Sequence, residues 1–142
     1  MAGTPYFQLN TVEYNKKNIR HYKKGECIAF RSTKNEFGSL SNMASGFPIK
    51  IENILIRNSE TLYQSLKYPF NPEIQENILR IPSPIIAKKV SRKYKEKALK
   101  DWTSIQFKVM KFCIEVKLIQ NLSKFSKVLL STDNLPIVEF SK

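Results

Sequence analysis

The alternation of apolar and polar residues predicts a small amount of β-structure. Positions alternate along Glu26–Arg31, which predicts the first strand of the core. Two runs rich in β-branched residues, Phe47–Ile51 and Ile54–Arg57, lie on either side of Glu52-Asn53, and this order predicts a β-hairpin with a two-residue turn. A further run at Leu135–Phe140 predicts a last strand.

A short helix is predicted directly after the hairpin. Asn58 or Ser59 can cap its first turn, and Pro69 ends it because the residue before a proline is pushed out of helical geometry. Leu62 and Leu66 are expected to point toward a core. Another face carries a carboxylate, an amide and an amine at positions i, i+4 and i+7, namely Glu60, Gln64 and Lys67. This face is either a solvated surface with a Glu–Lys pair or the site of a small polar ligand with a reacting carbon.

Four more helices are predicted from start signals and apolar periodicity. Asn71-Pro72 and Ser83-Pro84 each place a proline at the first helical position. Asp101 is a good N-cap for the longest helix, about residues 102–120, and a shorter helix is predicted over residues 123–130. The predicted buried face of the long helix consists of Ile105, Val109, Phe112, Val116 and Ile119, widened by Met110, Cys113 and Ile114. We therefore expect this helix to be mostly enclosed.

Length and composition indicate one globular domain. The chain has 142 residues, of which 42% are hydrophobic and 25% charged. No apolar run is long enough to cross a membrane and the N-terminus lacks a signal-peptide core, so a cytoplasmic protein without a membrane partner is expected. Cys27 and Cys113 match no metal-ligand spacing and are expected to be reduced thiols. Because His21 is the single histidine, neither a His-dependent triad nor a zinc site is expected, and no cofactor is predicted.

The charge balance favours an anionic partner. Lys and Arg number 24 against 12 Asp and Glu, which gives a net charge of +12 and favours nucleic acid, a nucleotide or a phosphosugar. The alternative is that a Lys-rich genome encodes Lys-rich proteins whatever they bind. The most basic segment contains Lys88, Lys89, Arg92, Lys93, Lys95, Lys97 and Lys100. It is either a solvated surface or a patch that binds nucleic acid.

Three other features bear on the domain boundary or on the function of the chain. Residues 1–25 are polar and weakly patterned, so we interpret them as an N-terminal extension of a domain at residues 26–142. Ser32–Ser45 is a long loop rich in Ser, Asn and Gly, and loops of this length are more often functional than decorative. Trp102 is either a core residue or a platform that stacks on a ring in a pocket.

A set of short motifs occurs in order along residues 30–140. These motifs are Leu40-Ser41-Asn42, Ser59-Glu60, Tyr63-Gln64, Lys67, Asp101-Trp102, Met110, Lys117, Gln120-Asn121, Leu129-Leu130, Thr132 and Val138-Glu139. In this order and spacing the chain resembles the NADAR family, also called YbiA-like. The resemblance implies a single compact α+β domain, mostly helical, with a small antiparallel sheet or hairpin. The His that follows Ser-Glu in the family is Thr61 here.

The resemblance also implies an N-glycosidase acting on ribosyl phosphates. Family members cleave N-glycosidic bonds in a riboflavin-pathway intermediate, and others remove ADP-ribose from guanine bases in nucleic acid. Lys67 is the implied nucleophile at the anomeric carbon of the ribose, through a Schiff base, and Glu60 is the implied general acid/base. The implied substrate contacts are Ser41, Asn42, Tyr63, Gln64, Trp102 and Glu139, and the implied phosphate or nucleic-acid contacts are Arg31, Lys88, Lys89 and Arg92.

Three functions are consistent with these observations. The first is an N-glycosidase for ADP-ribosyl or phosphoribosyl adducts, whose partner is an ADP-ribose-containing nucleotide or ADP-ribosylated nucleic acid. The second is a binding module with a degenerate pocket, because the Asp-x-x-Trp-Gly segment that follows Val-Glu in the family does not occur in residues 1–142. The second interpretation competes with that of a truncated enzyme. The third is a basic nucleic-acid-binding protein that works through residues 88–100.

Overall fold

Two short β-sheets and five helices make up residues 20–140, which are the part of the chain that the computed structural model describes. The strands are β1 (Ile28–Phe30), β2 (Ile49–Ile51), β3 (Ile54–Ile56) and β4 (Ile137–Glu139). The helices are α1 (Ser59–Ser65), α2 (Pro72–Leu79), α3 (Pro84–Lys93), α4 (Trp102–Gln120) and α5 (Leu122–Leu130). This is the predicted α+β domain. Most of the predicted N-terminal extension, residues 1–19, lies outside the described residues.

The sheets confirm the hairpin and add a pairing that periodicity did not predict. Strands β2 and β3 are antiparallel, with Ile49 opposite Ile56, and Glu52 takes a left-handed backbone conformation with φ 50° in the turn between them. Strand β1 pairs in parallel with β4, with Ala29 opposite Val138. The last described strand therefore lies beside the first.

Helix α1 lies between two apolar clusters and is the central element of the fold. One cluster joins Leu62 of α1 to the hairpin and to Cys113 of α4. The other is centred on Tyr68, whose buried hydroxyl donates a hydrogen bond to the Ser91 carbonyl at 2.5 Å and so ties the segment after α1 to α3. Because both clusters are buried, α1 is held on more than one side, and the polar residues along it are fixed with it.

The prediction for the buried face of α4 was wrong in part. Phe112 is 47% and Ile119 72% exposed, and Ile114 is exposed too, whereas the fully buried residues of this helix are Cys113 and Lys117. The helix is apolar around most of its circumference, so periodicity could not tell which stripe packs inward. The face that does so runs through Trp102, Val109, Met110, Cys113 and Lys117. Neighbouring elements cover α4 on this side, and the helix is not mostly enclosed.

Two helix ends also differ from the sequence predictions. Helix α4 begins at Trp102 as predicted, but the side chain of Asp101 makes no capping hydrogen bond. Helix α1 ends at Ser65 rather than at Pro69. Its last turn tightens, because the amide of Lys67 donates to Gln64 and that of Tyr68 donates to Ser65, which are contacts three residues apart. Lys67 therefore lies in the turn after α1.

We expect Asn58→Ala to destabilise the fold more than Ser83→Ala. The buried Asn58 side chain accepts hydrogen bonds from the amide and hydroxyl of Thr61 at 2.9 and 2.8 Å, and both donors lose their partner in the variant. The free energy of unfolding should fall by about 2 kcal/mol. Ser83 caps α3 through one longer bond of 3.4 Å, so its loss should cost about 0.5 kcal/mol. Urea denaturation of both variants measures the difference, and equal losses would contradict this account of the cap.

Candidate functional site

The first turn of α1 is held by the loop that precedes the hairpin. The carbonyl of Asn42 accepts a hydrogen bond from the amide of Glu60 at 3.0 Å, and its side-chain oxygen accepts one from the Ser59 hydroxyl at 2.9 Å. The side-chain nitrogen Nδ2 of Asn42 contacts the Met110 sulfur of α4 at 2.6 Å. A helix N-terminus exposes free N–H groups, so this loop satisfies donors that α1 cannot satisfy itself. Asn42 thereby joins the loop, α1 and α4 at one point.

The carboxylate and amide of the polar face are buried side by side. Glu60 is 7% and Gln64 2% exposed. The Gln64 Nε2 donates a hydrogen bond of 2.7 Å to Glu60 Oε1, while Gln64 Oε1 is buried without a hydrogen-bond partner. These two residues are one helical turn apart, as their spacing predicted. The alternative of a solvated face does not hold for them.

Lys67 brings an amine to the aromatic edge of this cluster. Its Nζ lies 5.6 Å from the centre of the Tyr63 ring and 5.4 Å from that of the Trp102 ring, and the two ring centres are 5.1 Å apart. The backbone is held as well, because the Leu99 amide donates to the Lys67 carbonyl at 2.9 Å. The amine is thus placed by two aromatic rings and by a backbone contact rather than by the helix itself.

The surroundings of Lys67 favour its neutral, nucleophilic form. Burial lowers the pKa of Lys67 from its ordinary value of 10.5, and the charge of Glu60 works against this shift. The positive charges of Lys88 and Arg92 lower the pKa further. A neutral amine has the free electron pair that a nucleophile needs.

The other candidate nucleophiles of this region are held in their protonated forms. Burial, then the charge of Glu60, raises the pKa of the Cys113 thiol to about 12. Burial, then the charges of Glu60 and Cys113, raises the pKa of Tyr63 above its ordinary value, although a hydrogen bond with Trp102 acts in the opposite direction. The raised pKa disfavours the reactive thiolate of Cys113, which leaves the Lys67 amine as the candidate nucleophile of this region.

Part of the predicted contact set converges on this site. Lys88 and Arg92 lie one turn apart on α3, so both project from the side of that helix that acts on Lys67. Ser41 is buried beneath the Asn42 loop. Within residues 20–140, the contacts do not join Arg31, Lys89 or Glu139 to the cluster: all three are exposed, and Glu139 lies in β4 opposite Phe30.

One buried charge is indicated in the sequence only by the family motif, and no other pattern points to it. Lys117 of α4 is 1% exposed, and its Nζ donates to the carbonyls of Ser39 and Ser41 at 2.7 and 3.2 Å. The rings of Phe47 and Phe125 lie 4.8 and 4.3 Å from the same nitrogen. Lysine is seldom fully buried, so composition alone favours a surface position. The signal that could have found it is its place four residues after Cys113 on the inward stripe.

A sizeable cleft lies elsewhere in the fold. It encloses about 740 Å³ and is bordered by β1, β4 and the loop at residues 35–37. Its walls are largely apolar and aromatic, including Ile28, Phe37, Val138 and Phe140. None of its lining residues belongs to the cluster of Glu60 and Lys67. We place the candidate site at the cluster because the reactive groups are there.

In residues 20–140, no three His, Cys, Asp or Glu side chains lie close enough together to hold a metal ion. No helix in this part of the chain is long and apolar enough to cross a membrane.

The fold is a small α+β domain. Its candidate site combines a buried carboxylate, Glu60 on the central helix α1, with an amine, Lys67 in the turn after that helix. The family profile of the NADAR domain matches residues 29–142. The chain belongs to the NADAR domain family.

Individual relatives agree with this assignment. The N-glycosidase YbiA of Escherichia coli (strain K12) is 29% identical over 126 residues, which cover 89% of this chain and 77% of that protein. A riboflavin biosynthesis protein of Vibrio vulnificus is 32% identical over 84 residues, or 59% of this chain and 22% of that protein. The NMR structure of E. coli YbiA matches with a TM-score of 0.70 and 29% identity, over 87% of this chain and 72% of that chain.

We expect Lys117 to make the stability of the protein rise with pH above about 8. Burial lowers the pKa of Lys117 to about 8 from an ordinary value of 10.5. Between these values the unfolded chain holds a proton that the folded protein has lost, so the free energy of unfolding increases with pH. Below about 8 both forms are charged and the increase is absent.

The comparison with Lys117→Met isolates this effect. From pH 7.5 to 9, the free energy of unfolding of the wild type should rise by about 1 kcal/mol relative to the variant, as measured by urea denaturation. The raised pKa of the Cys113 thiol acts in the opposite direction at high pH, but Cys113 is present in both proteins and its effect cancels in the difference. A constant difference between the two proteins would contradict the burial of the charged amine.

Proposed function

We propose that the chain is an N-glycosidase that cleaves the bond between a ribosyl C1′ and a base nitrogen in ADP-ribosyl or phosphoribosyl adducts. The observation that carries the proposal is the position of the Lys67 amine, over the rings of Tyr63 and Trp102 and within electrostatic range of the buried Glu60. The 29% identity to the N-glycosidase YbiA over most of the chain supports the reaction class. The net charge of +12 favours a phosphorylated substrate.

The covalent step uses the amine of Lys67 as nucleophile. Its electron pair forms a bond to C1′ while the glycosidic C1′–N bond breaks. Glu60 accepts a proton from the amine and returns one to the leaving base. Opening of the C1′–O4′ bond then moves the remaining amine proton to the ring oxygen and leaves an imine. Water hydrolyses this imine, which releases the sugar and regenerates the amine.

The remaining residues of the cluster bind and orient the substrate in this proposal. Trp102 and Tyr63 offer ring faces on which a base or ribose can stack. Asn42 and Gln64 supply polar groups for ribose hydroxyls, with Ser41 in the adjoining loop. Glu139, Arg31 and Lys89 remain proposed contacts that a larger substrate would reach.

Phosphate groups are assigned to the cationic side of α3. Lys88 and Arg92 act electrostatically on Lys67, so an anion bound to them lies close to the reacting amine. Arginine binds phosphate through two parallel hydrogen bonds and lysine through a compact charge.

Lys67→Ala is expected to abolish turnover and covalent trapping. The wild-type protein is incubated with a guanine-ADP-ribosylated oligonucleotide and with free ADP-ribosyl nucleosides, and released ADP-ribose is measured by mass spectrometry. Borohydride reduces an imine to a stable amine, so the wild type should gain the mass of the sugar adduct on Lys67. The rate should fall by at least a thousandfold in the variant, because no other nucleophile replaces the amine.

The matched control is Lys100→Ala, which removes an exposed lysine with the same change of charge. It should retain turnover and trapping. Release of ADP-ribose by Lys67→Ala at the wild-type rate would contradict the proposed nucleophile. Saturable ADP-ribose binding without any release by the wild type would instead identify a binding module.

Neutralising Lys88 or Arg92 is expected to weaken substrate binding more than neutralising Lys93. Lys88→Ala and Arg92→Ala each remove a charge that acts on Lys67, and KM should rise about tenfold through loss of a charge-assisted hydrogen bond. Lys93→Ala removes an exposed charge from the same helix and should change KM less than threefold. Steady-state kinetics at fixed ionic strength measure all three. Equal effects at the three positions would indicate general electrostatic attraction rather than a phosphate site.

A further inference from the structure

Lys117 is a buried cation whose partners are backbone carbonyls rather than a carboxylate. Its Nζ donates to the Ser39 carbonyl at 2.7 Å and to the Ser41 carbonyl at 3.2 Å. The ion pairs found among residues 20–140 are exposed and do not include it. Burial of an uncompensated cation is unfavourable, so these two hydrogen bonds, together with the rings of Phe47 and Phe125 next to the same nitrogen, keep it in place.

A neutral side chain of the same length would satisfy the packing around it. Phe47 and Phe125 line this part of the core and pack edge to face, with ring centres 5.2 Å apart. An apolar residue would contact both rings without a desolvation cost, and replacing a buried charge by such a residue is often neutral or stabilising. What an apolar side chain could not provide is the pair of hydrogen bonds from the ammonium group to the backbone of the loop.

The loop that Lys117 binds continues directly to Asn42, which contacts the first turn of α1. The Ser41 carbonyl also accepts the Ala44 amide at 3.1 Å, so it is held from two sides. The next residue, Asn42, accepts the Glu60 amide at 3.0 Å. A shift of the loop backbone would thus move the acceptor on which the Glu60 amide depends.

Helix α4 supplies two further contacts to the same site. Met110 contacts the side chain of Asn42, and Trp102 lies over the Lys67 amine. Lys117, Met110 and Trp102 lie along one face of a single helix, so the loop and the amine are positioned against a common rigid element. The distance between the Glu60 carboxylate and the Lys67 amine depends on this arrangement.

We propose that Lys117 is a positioning residue for the Glu60 site: it binds the carbonyls of Ser39 and Ser41, holds Asn42 on the N-terminus of α1 and so fixes Glu60 relative to Lys67. The structural part stands by itself, and only its kinetic consequence rests on the proposed N-glycosidase function. Catalytic groups must be held within a fraction of an ångström by residues that do not touch the substrate.

Amide hydrogen exchange measured by NMR tests the structural part without any substrate. In Lys117→Met the Glu60 amide should exchange at least tenfold faster than in the wild type, because its acceptor is no longer fixed. The Ala87 amide, which donates to Ser83 at 2.9 Å in the second apolar cluster, serves as the reference and should keep its wild-type rate. Lys108→Met, which removes an exposed lysine from the same helix, is the matched control and should alter neither rate.

Two results would overturn the proposal. One is an unchanged Glu60 exchange rate in Lys117→Met. The other is an equal acceleration at Glu60 and Ala87, which would mean that the whole fold had lost stability. If Lys117→Met does not fold, Lys117→Gln takes its place: the shorter amide cannot span both carbonyls, so faster exchange at Glu60 is again expected and an unchanged rate overturns the proposal.

Kinetics then separate positioning from a purely structural role. In Lys117→Met, kcat should fall at least tenfold while KM stays within about twofold. An unchanged kcat in Lys117→Met together with faster exchange at the Glu60 amide would overturn the kinetic role of Lys117. A wild type without turnover would refute the N-glycosidase proposal, while the exchange rates would still decide the role of Lys117.

Discussion

The hydrogen bond from the Glu60 amide to the Asn42 carbonyl is the contact on which the arrangement of the site depends. A helix begins with N–H groups that have no partner within the helix, and a buried helix end needs acceptors from elsewhere. Asn58 provides one from its side chain, directly before the helix, and Asn42 provides another from a distant loop. Because the first turn of α1 is satisfied in this way, a carboxylate can be buried there, at the end of the helix where negative charge is favoured.

The charged groups of the site are each stabilised by a different neighbour. Glu60 is bonded to Gln64, Lys67 lies against aromatic rings, and Lys117 is bonded to carbonyls. No two of these three form a direct ion pair in the described range. Buried opposite charges that paired directly would be held in their charged states. Keeping Glu60 and Lys67 apart leaves the amine free to lose its proton.

Local features of the fold could be predicted well from the sequence. The faces that the helices turn toward the core could be predicted less well. The hairpin around Glu52 and the cap at Asn58 follow from contacts within a few residues, which short-range pattern can capture. The spacing of Glu60 and Lys67 indicated that they belong to one site, and they lie within electrostatic range of each other although Lys67 lies beyond the end of α1. The packing face of α4 and the burial of Lys117 depend on which neighbours cover the helix, and an apolar helix carries no periodic signal for that choice.

The parallel pairing of β1 with β4 has a consequence for how the protein folds. Ile28 pairs with Ile137, so this sheet joins residues from opposite ends of the described chain. During synthesis β1 and the loop that leads to Asn42 leave the ribosome early, whereas their partner strand emerges after all five helices. Contacts between such distant residues form late, because the entropy cost of closing a long loop comes before the contacts contribute to stability. The helices can therefore assemble first, and the pairing of β4 with β1 is then the last step of folding.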